Sequence, residues 1–338
     1  MKIALDASYS LGKNLSGVGV YSREMLFGLA QQHPDTRFLF SYRPHRFLAS
    51  FHDSLPRNAR RRILAGAPRA DVFHALNQRV ESRAKRTVAT FHDLFVMTSD
   101  YSSAEFRTRF TDQARQAAER GDLLIAVSRF TAGQLESLLH VEPNRIRVIP
   151  HGVRMPAEVA TKRENIVLFV GAIQRRKNVA RLVRAFEAMP EGWRLVLAGA
   201  AGWGAEEELR AVEASPRRSS IEVCGYVSTA QLESLYSRAR IFAFASLDEG
   251  FGMPVLDAMA HGIAVITSRR SALPEVAGDA ALLVDPENVD ELAEALRDLA
   301  FNEDVREELV RRGRARAAEF TWDSAVRRTW AVYEELLR

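Results

Sequence analysis

The sequence predicts an α/β protein of two domains, each a parallel sheet with helices on both faces. Short β-branched and apolar runs alternate with helical patterns along almost the whole chain, as parallel sheets covered on both sides require. The 338 residues are long for one core and natural for two. One stretch, Ser246–Gly262, reads as loop, tight turn and short helix between two apolar strands. Such a helix start offers backbone N–H groups to an anion.

In the first half, strands are expected near Ile3–Asp6, Arg37–Ser41, Val72–Ala75, Thr87–Phe91, Leu123–Val127 and Arg147–Ile149. In the second half they fall near Ile166–Val170, Arg194–Ala198, Ile221–Cys224, Ile241–Ala245, Ile263–Thr267 and Ala281–Val284. The segment 150–165, with Gly152 and Pro156, is the candidate linker. This gives a first domain over 1–155 and a second over 160–320. The last helix, Trp322–Leu337, carries Trp322, Val326, Trp330 and Tyr333 at helical spacing, which marks them as core.

Composition, with 47% apolar and 27% charged residues, is that of an ordinary globular protein. No run approaches the ~18 apolar residues of a membrane-spanning helix. The opening MKIALDAS reads as a strand rather than a signal peptide. The single cysteine, Cys224, cannot form an internal disulfide, and the expected compartment is the cytoplasm. Net charge is +4, unevenly spread. The first 155 residues hold 23 Lys+Arg against 14 Asp+Glu, with Arg43, Arg46, Arg57, Arg60, Arg61 and Arg62 clustered. Such a patch attracts nucleic acid, anionic lipid headgroups or a phosphorylated acceptor, and it is equally the mark of a solvated basic surface.

After the strand Ile241–Ala245 comes a loop with Asp248, Glu249, Gly250 and Gly252. Pro254 then stands at a helix start and Gly262 at its end. Glu249 precedes the helix and Asp257 lies one turn into it. Carboxylates there accept hydrogen bonds from hydroxyls, such as those of a sugar, rather than bind phosphate. Val170–Asn178 ends a strand and places Arg176 and Lys177 just ahead of a helix over Val179–Met189, so two cations and a helix dipole converge. Gly17-x-Gly19 follows the first strand, in Ser16–Leu26, with Ser22 where a dinucleotide loop has its third glycine. A lone Gly-x-Gly is equally a turn. His74 and His92-Asp93 end strands at the edge where open α/β sheets bind ligands, though a histidine at a strand end can be no more than a satisfied core residue. No cluster has metal-ligand spacing, and no metal is expected.

These motifs, together with Gly225–Ser246 and Thr267–Pro286, resemble the retaining glycosyltransferases of family 4. In their donor-site signature a Glu is followed by seven residues and a second Glu; here the pair is Glu249 and Asp257. The resemblance is close from about residue 165 onwards. It implies a GT-B fold, with two Rossmann-like domains facing a central cleft and the final helix crossing back to the first. Arg176 and Lys177 would clamp the diphosphate. Glu249 would hold donor-sugar hydroxyls, Asp257 the ribose, and His92 the hydroxymethyl side of the sugar. Further donor contacts would come from Gly17, Gly19, Gly171, Tyr226, Val227, Gly250, Phe251, Gly252, Met253, Pro254 and Val255. Asp93 and Tyr21 would face the acceptor. Two departures stand out: Ala172 where many members have Arg, and Asp257 for Glu.

The implied reaction is metal-independent transfer, with retention, from a nucleotide-diphospho-sugar to a saccharide or lipid-linked saccharide in polysaccharide assembly. GDP-mannose is the first expectation for the donor, with UDP- and dTDP-sugars open. No cofactor and no nucleic acid is expected, and peripheral membrane contact would come through the basic first domain. Two other readings stay open: a nucleotide-sugar binder without turnover, and an NAD-dependent dehydrogenase, which the residue at Ser22 disfavours.

Overall fold

The computed structural model describes residues 1–12, 15–80, 84–157 and 162–338. The chain divides into two compact units, Met1–Gly152 with Phe320–Arg338, and Val153–Glu319. The linker expected over 150–165 falls partly on 158–161, outside the described residues.

The first unit holds seven parallel strands: β1 (Lys2–Asp6), β2 (Arg37–Tyr42), β3 (Ala59–Ile63), β4 (Val72–Ala75), β5 (Thr87–Phe91), β6 (Leu123–Ala126) and β7 (Ile146–Val148). Their order is β3-β2-β1-β4-β5-β6-β7, with Ile3 opposite both Phe38 and Val72. The second unit holds β8 (Glu164–Val170), β9 (Arg194–Ala198), β10 (Ile221–Gly225), β11 (Ala239–Phe244), β12 (Ala264–Ser268) and β13 (Leu282–Val284), in the order β10-β9-β8-β11-β12-β13. Inner strands are apolar runs because both faces are covered: Ile241, Phe242, Ala243 and Phe244 of β11 are fully buried.

Each sheet grows outward in one direction and then the other. The reversal lies between β1 and β4 in the first unit and between β8 and β11 in the second. Loops leaving the carboxyl ends of those strands diverge, and that crevice is where open α/β sheets take ligands.

One strand lay hidden in the sequence. Ala59–Ile63 reads ARRRI and looks like a charge cluster, yet it is the sheet's outer strand β3. An edge tolerates charged side chains, which also discourage pairing with other chains. A second correction concerns Arg43, which belongs to no exposed patch: it is buried and paired with Asp6 at 3.3 Å.

The last helix, Trp322–Leu337, packs in the first unit, N-capped by Thr321. Trp322, Val326 and Tyr333 are buried. Trp330 is only partly so, stacked on His33 with ring centroids 3.5 Å apart. The helix after β8 is shorter than expected, Val179–Phe186.

Candidate active site

The loop after β8 winds into a single 3₁₀ turn, Arg175–Lys177, and Asn178 then takes a left-handed conformation (φ 62°) before the helix starts. Asn178 holds that shape by donating through Nδ2 to Ala245 O (2.9 Å) and Pro286 O (2.6 Å). The turn is thus tied to the loop leaving β11, across the point where strand order reverses. Ser246 Oγ and Leu247 N add bonds to Arg176 O at 3.0 and 2.8 Å.

This stitching brings together the three residues the sequence singled out. Lys177 Nζ lies 2.5 Å and Arg176 Nη1 2.8 Å from Glu249 Oε1, and Ser246 Oγ donates to the same oxygen at 2.6 Å. The three charged side chains are about nine-tenths buried. Lys177 Nζ also stands 4.6 Å from the centre of the Phe244 ring, a cation–π contact strengthened by desolvation. Burial works to raise the Glu249 pKa, but the two cations and the bonds from Lys177 and Ser246 prevail and hold it at about 2. Glu249 N–H donates to Ser271 Oγ at 3.0 Å, which fixes the backbone. A buried pair of cations sharing one carboxylate is a ready receptor for a second anion that can compete for them.

Gly171 follows β8 with φ 151°, and a methylene of Lys177 runs beside it. Gly252 has φ 112°, and a side chain there would sit 2.6 Å from Leu273, so only glycine fits. The helix that follows is Met253–Ala260. Its start is a poorer anion site than expected, because Pro254 has no N–H and Val255 gives its own to Gly252 O at 3.0 Å. Gly250 is buried, and Phe251 and Val255 turn their side chains into the core. Only Gly252 and Met253 can offer N–H groups between Gly252 and Val255. Tyr226 and Val227 leave the carboxyl end of β10, with Tyr226 54% exposed.

Asp257 is only partly accessible. Its pKa is pushed up to about 7 by burial, with His261 pulling it down and Glu233 raising it further. Among the described residues the nearby Tyr236 hydroxyl is buried without a hydrogen-bond partner. No group of three or more His, Cys, Asp or Glu side chains among the described residues is arranged to hold a metal ion.

In the first unit, several expectations change. Gly17 and Gly19 form no loop; they are the first turn of the helix Gly17–Gln32, whose cap Ser16 accepts from Gly19 N. Gly19 is buried. Tyr21, expected on the acceptor side, is buried, bonded to Thr90 Oγ1 at 2.9 Å, and packs edge-on against His92. A tyrosine at the fifth helical position, four after Gly17, points inward with the helix's apolar face. Thr90 in turn meets His74 Nε2 (2.8 Å), whose Nδ1 meets Tyr333 of the last helix (2.6 Å).

His92 does line a cavity, but neither ring nitrogen is left for a sugar. Nε2 lies 3.0 Å from Leu76 O and must donate to it, and Nδ1 lies 3.4 Å from His151 Nε2. Burial lowers its pKa to about 4. The ring is neutral at pH 7, so Nδ1 accepts from His151. The cavity, about 540 Å³, sits beside the strand-order reversal and is lined among others by Tyr9, Val18, Asn77, Gln78, His92 and Asp93. The sequence assigned no role to the side chains of Ser246, Ser271, Asn178 and Phe244, because the partner of a short polar group or a ring face is defined only once the facing loop is known.

Comparison with known proteins agrees with this geometry. Residues 154–316 match the family described as "Glycosyl transferases group 1", and residues 16–155 match "Glycosyltransferase Family 4". The chain is 31% identical over 286 residues to the O-antigen chain mannosyltransferase B of Escherichia coli, covering 78% of this chain and 74% of that one. Sucrose-phosphate synthase from Thermosynechococcus elongatus superimposes with a TM-score of 0.79 at 21% identity, over 100% of this chain and 99% of that one. The Anabaena HepE protein in complex with UDP and glucose superimposes with a TM-score of 0.75 at 15% identity, over 99% and 100% of the two chains. The chain is a glycosyltransferase of family 4 with the GT-B fold.

Proposed function

We propose that this glycosyltransferase moves mannose, with retention and without a metal, from GDP-mannose to a saccharide or lipid-linked saccharide acceptor. The observation that carries the reading is the buried Arg176–Lys177–Glu249 cluster at the strand-order reversal of the second unit. Breaking the anomeric C–O bond leaves negative charge on the nucleoside diphosphate, and two preorganised cations meet that charge as it develops. The diphosphate must displace Glu249 from them. The three bonds to Glu249 converge on Oε1, so Oε2 is the oxygen assigned to donor-sugar hydroxyls. Asp257 is assigned to the ribose and Asp93, in the first-unit cavity, to the acceptor. The mannosyltransferase name of the Escherichia coli relative supports the sugar. The UDP complex of the Anabaena protein supports a nucleoside diphosphate leaving group and keeps UDP-sugars as the alternative donor.

The basic first domain would meet an anionic membrane surface through the segment after β2. There Leu48 is 81% and Phe51 61% exposed, with Arg46, Arg57 and Arg60 also exposed. No helix among the described residues is long and apolar enough to cross a membrane.

The test is transfer and donor hydrolysis across GDP-mannose, UDP-glucose and dTDP-glucose, with Lys177→Ala alongside. Loss of one preorganised donor costs about 10²–10³ in rate, so Lys177→Ala should lose that much with its circular dichroism unchanged. Near wild-type turnover in this variant would remove the clamp. A protein that binds a nucleotide sugar but neither transfers nor hydrolyses it would be a binder, a reading that rests on Asp257, where the family has Glu, and Ala172, where many members have Arg.

A further inference from the structure

The mechanism leaves unused most of the cavity beside His92 and Asp93, and one of its walls carries an unanswered polar group. Gln78 follows β4 and is 9% exposed. Asn77 Oδ1 accepts its backbone N–H at 2.5 Å, which fixes the chain there. The Gln78 side chain lines the cavity, yet among the described residues its Oε1 is buried with no hydrogen-bond partner. Buried polar atoms without a partner are rare in folded proteins, and one beside a cavity points to a donor that arrives with a ligand. The terminal torsion of a glutamine is soft, so the amide can turn toward such a donor.

The cavity does not end at that wall. A second hollow of about 640 Å³ lies alongside it, and Arg79, Arg109 and Gln113 line both. Each volume falls in the range of ~300–1,000 Å³ usual for small-ligand sites. The helix Ala104–Arg120 supplies the shared wall, with Phe110, Ala114, Ala117 and Ala118 turned into the core. Helix phase then puts Glu105, Thr108, Asp112 and Gln116, three and four residues apart, on one exposed stripe that lines the second hollow. Arg109 is held at the crest, its guanidinium 5.4 Å from the centre of the Phe106 ring. Phe95 and Phe106 give the first cavity flat apolar faces, against which the C–H side of a sugar ring packs. The second hollow is polar, its two arginines balanced by Glu105 and Asp112. Such a lining suits hydroxyls, which both donate and accept; a phosphate there would face two carboxylates.

We infer that the acceptor is a neutral saccharide chain of at least two units. Its terminal sugar lies in the first cavity, where Gln78 takes a hydroxyl, and the next sugar passes Arg79, Arg109 and Gln113 into the polar groove along the helix. The inference rests on the assignment of the first-unit cavity to the acceptor, and it adds the class of acceptor and a residue that selects it. A single sugar would leave the second hollow empty, and a sugar phosphate would set its charge against Glu105 and Asp112.

The experiment uses the full chain, with donor hydrolysis as the control for an intact donor site. The acceptors are methyl glycosides of mannose, glucose and N-acetylglucosamine, their disaccharides and trisaccharides, and the 6-phosphates of the monosaccharides. In the series the enzyme accepts, kcat/KM should rise about tenfold from one sugar to two, through KM, as one or two net hydrogen bonds supply. Asp112→Ala/Gln116→Ala should erase most of that preference. Gln78→Met keeps the size and removes the amide. It should raise KM for every acceptor about tenfold and melt no lower than wild type, since the Oε1 it removes has no partner to lose. The inference is overturned if monosaccharides and disaccharides are used equally, or if a monosaccharide 6-phosphate is preferred to the neutral disaccharide. It is also overturned if Gln78→Met lowers the melting temperature and leaves every acceptor KM as it was, which would make Gln78 structural. A protein that hydrolyses donor but transfers to none of these sugars would remove the acceptor assignment along with this inference.

Discussion

Glu249→Gln is the most informative single change, because Glu249 neutralises two buried cations at once. Its carboxyl sits at about 2 against an ordinary 4.5, a drop that corresponds to about 3 kcal/mol. The sign follows from the direction. A depressed carboxyl contributes stability in full above its unfolded value near 4.5, and that contribution is lost as pH falls toward 2. Glutamine keeps the size but removes the charge, leaving Arg176 and Lys177 buried without their anion, a change that costs about 3–5 kcal/mol in comparable sites. Urea unfolding of both proteins from pH 7 to pH 2.5 is the assay. Other carboxylates titrate in both, so the difference between the two curves isolates Glu249. It should be about 3 kcal/mol at pH 7 and shrink steadily below pH 4.5. GDP should restore part of the loss, and it should raise the stability of Glu249→Gln more than that of wild type, since no carboxylate competes for the clamp. If the variant tracks wild type within ~0.5 kcal/mol at every pH and GDP stabilises both equally, the cations do not depend on this acid and the reasoning fails.

Two further outcomes can be checked alongside. Asp257, raised to about 7 by burial, keeps a proton in the folded state that the unfolded chain has released. It therefore contributes stability below about pH 4 that is lost as pH rises to 7. Asp257→Asn should melt higher than wild type at pH 8 and no higher at pH 4. Equal shifts at both pH values would contradict the assignment. If the segment carrying Leu48 and Phe51 meets anionic lipid, binding to phosphatidylglycerol-containing vesicles should fall steeply as salt rises from about 0.05 to about 0.5 M. It should also fall at least tenfold in Leu48→Glu/Phe51→Glu, with donor hydrolysis unchanged. Vesicle binding that ignores both salt and the double substitution would exclude that surface.

The sequence by itself determined the class of fold, since alternating apolar strands and amphipathic helices can be buried only as sheets covered on both faces. It also located Arg176, Lys177 and Glu249, because charged residues at the ends of apolar strands stand out in any window. The pairing of those three depended on tertiary structure: Lys177 and Glu249 are 72 residues apart, and only the β8–β11 neighbour relation closes that gap. Direction of side chains was likewise illegible. Tyr21 and Val255 sit in motifs that suggest a ligand, yet helix phase turns both into the core. His92 reaches its cavity with both ring nitrogens already engaged, because Leu76 and His151 approach it from other strand ends. The edge strand β3 was masked by its own arginines, since at a sheet margin the identity of the neighbour, not hydrophobicity, makes the strand. Spacing along a chain says which groups are available; packing decides which of them face one another, because burial fixes every side chain against partners that the linear order keeps far apart.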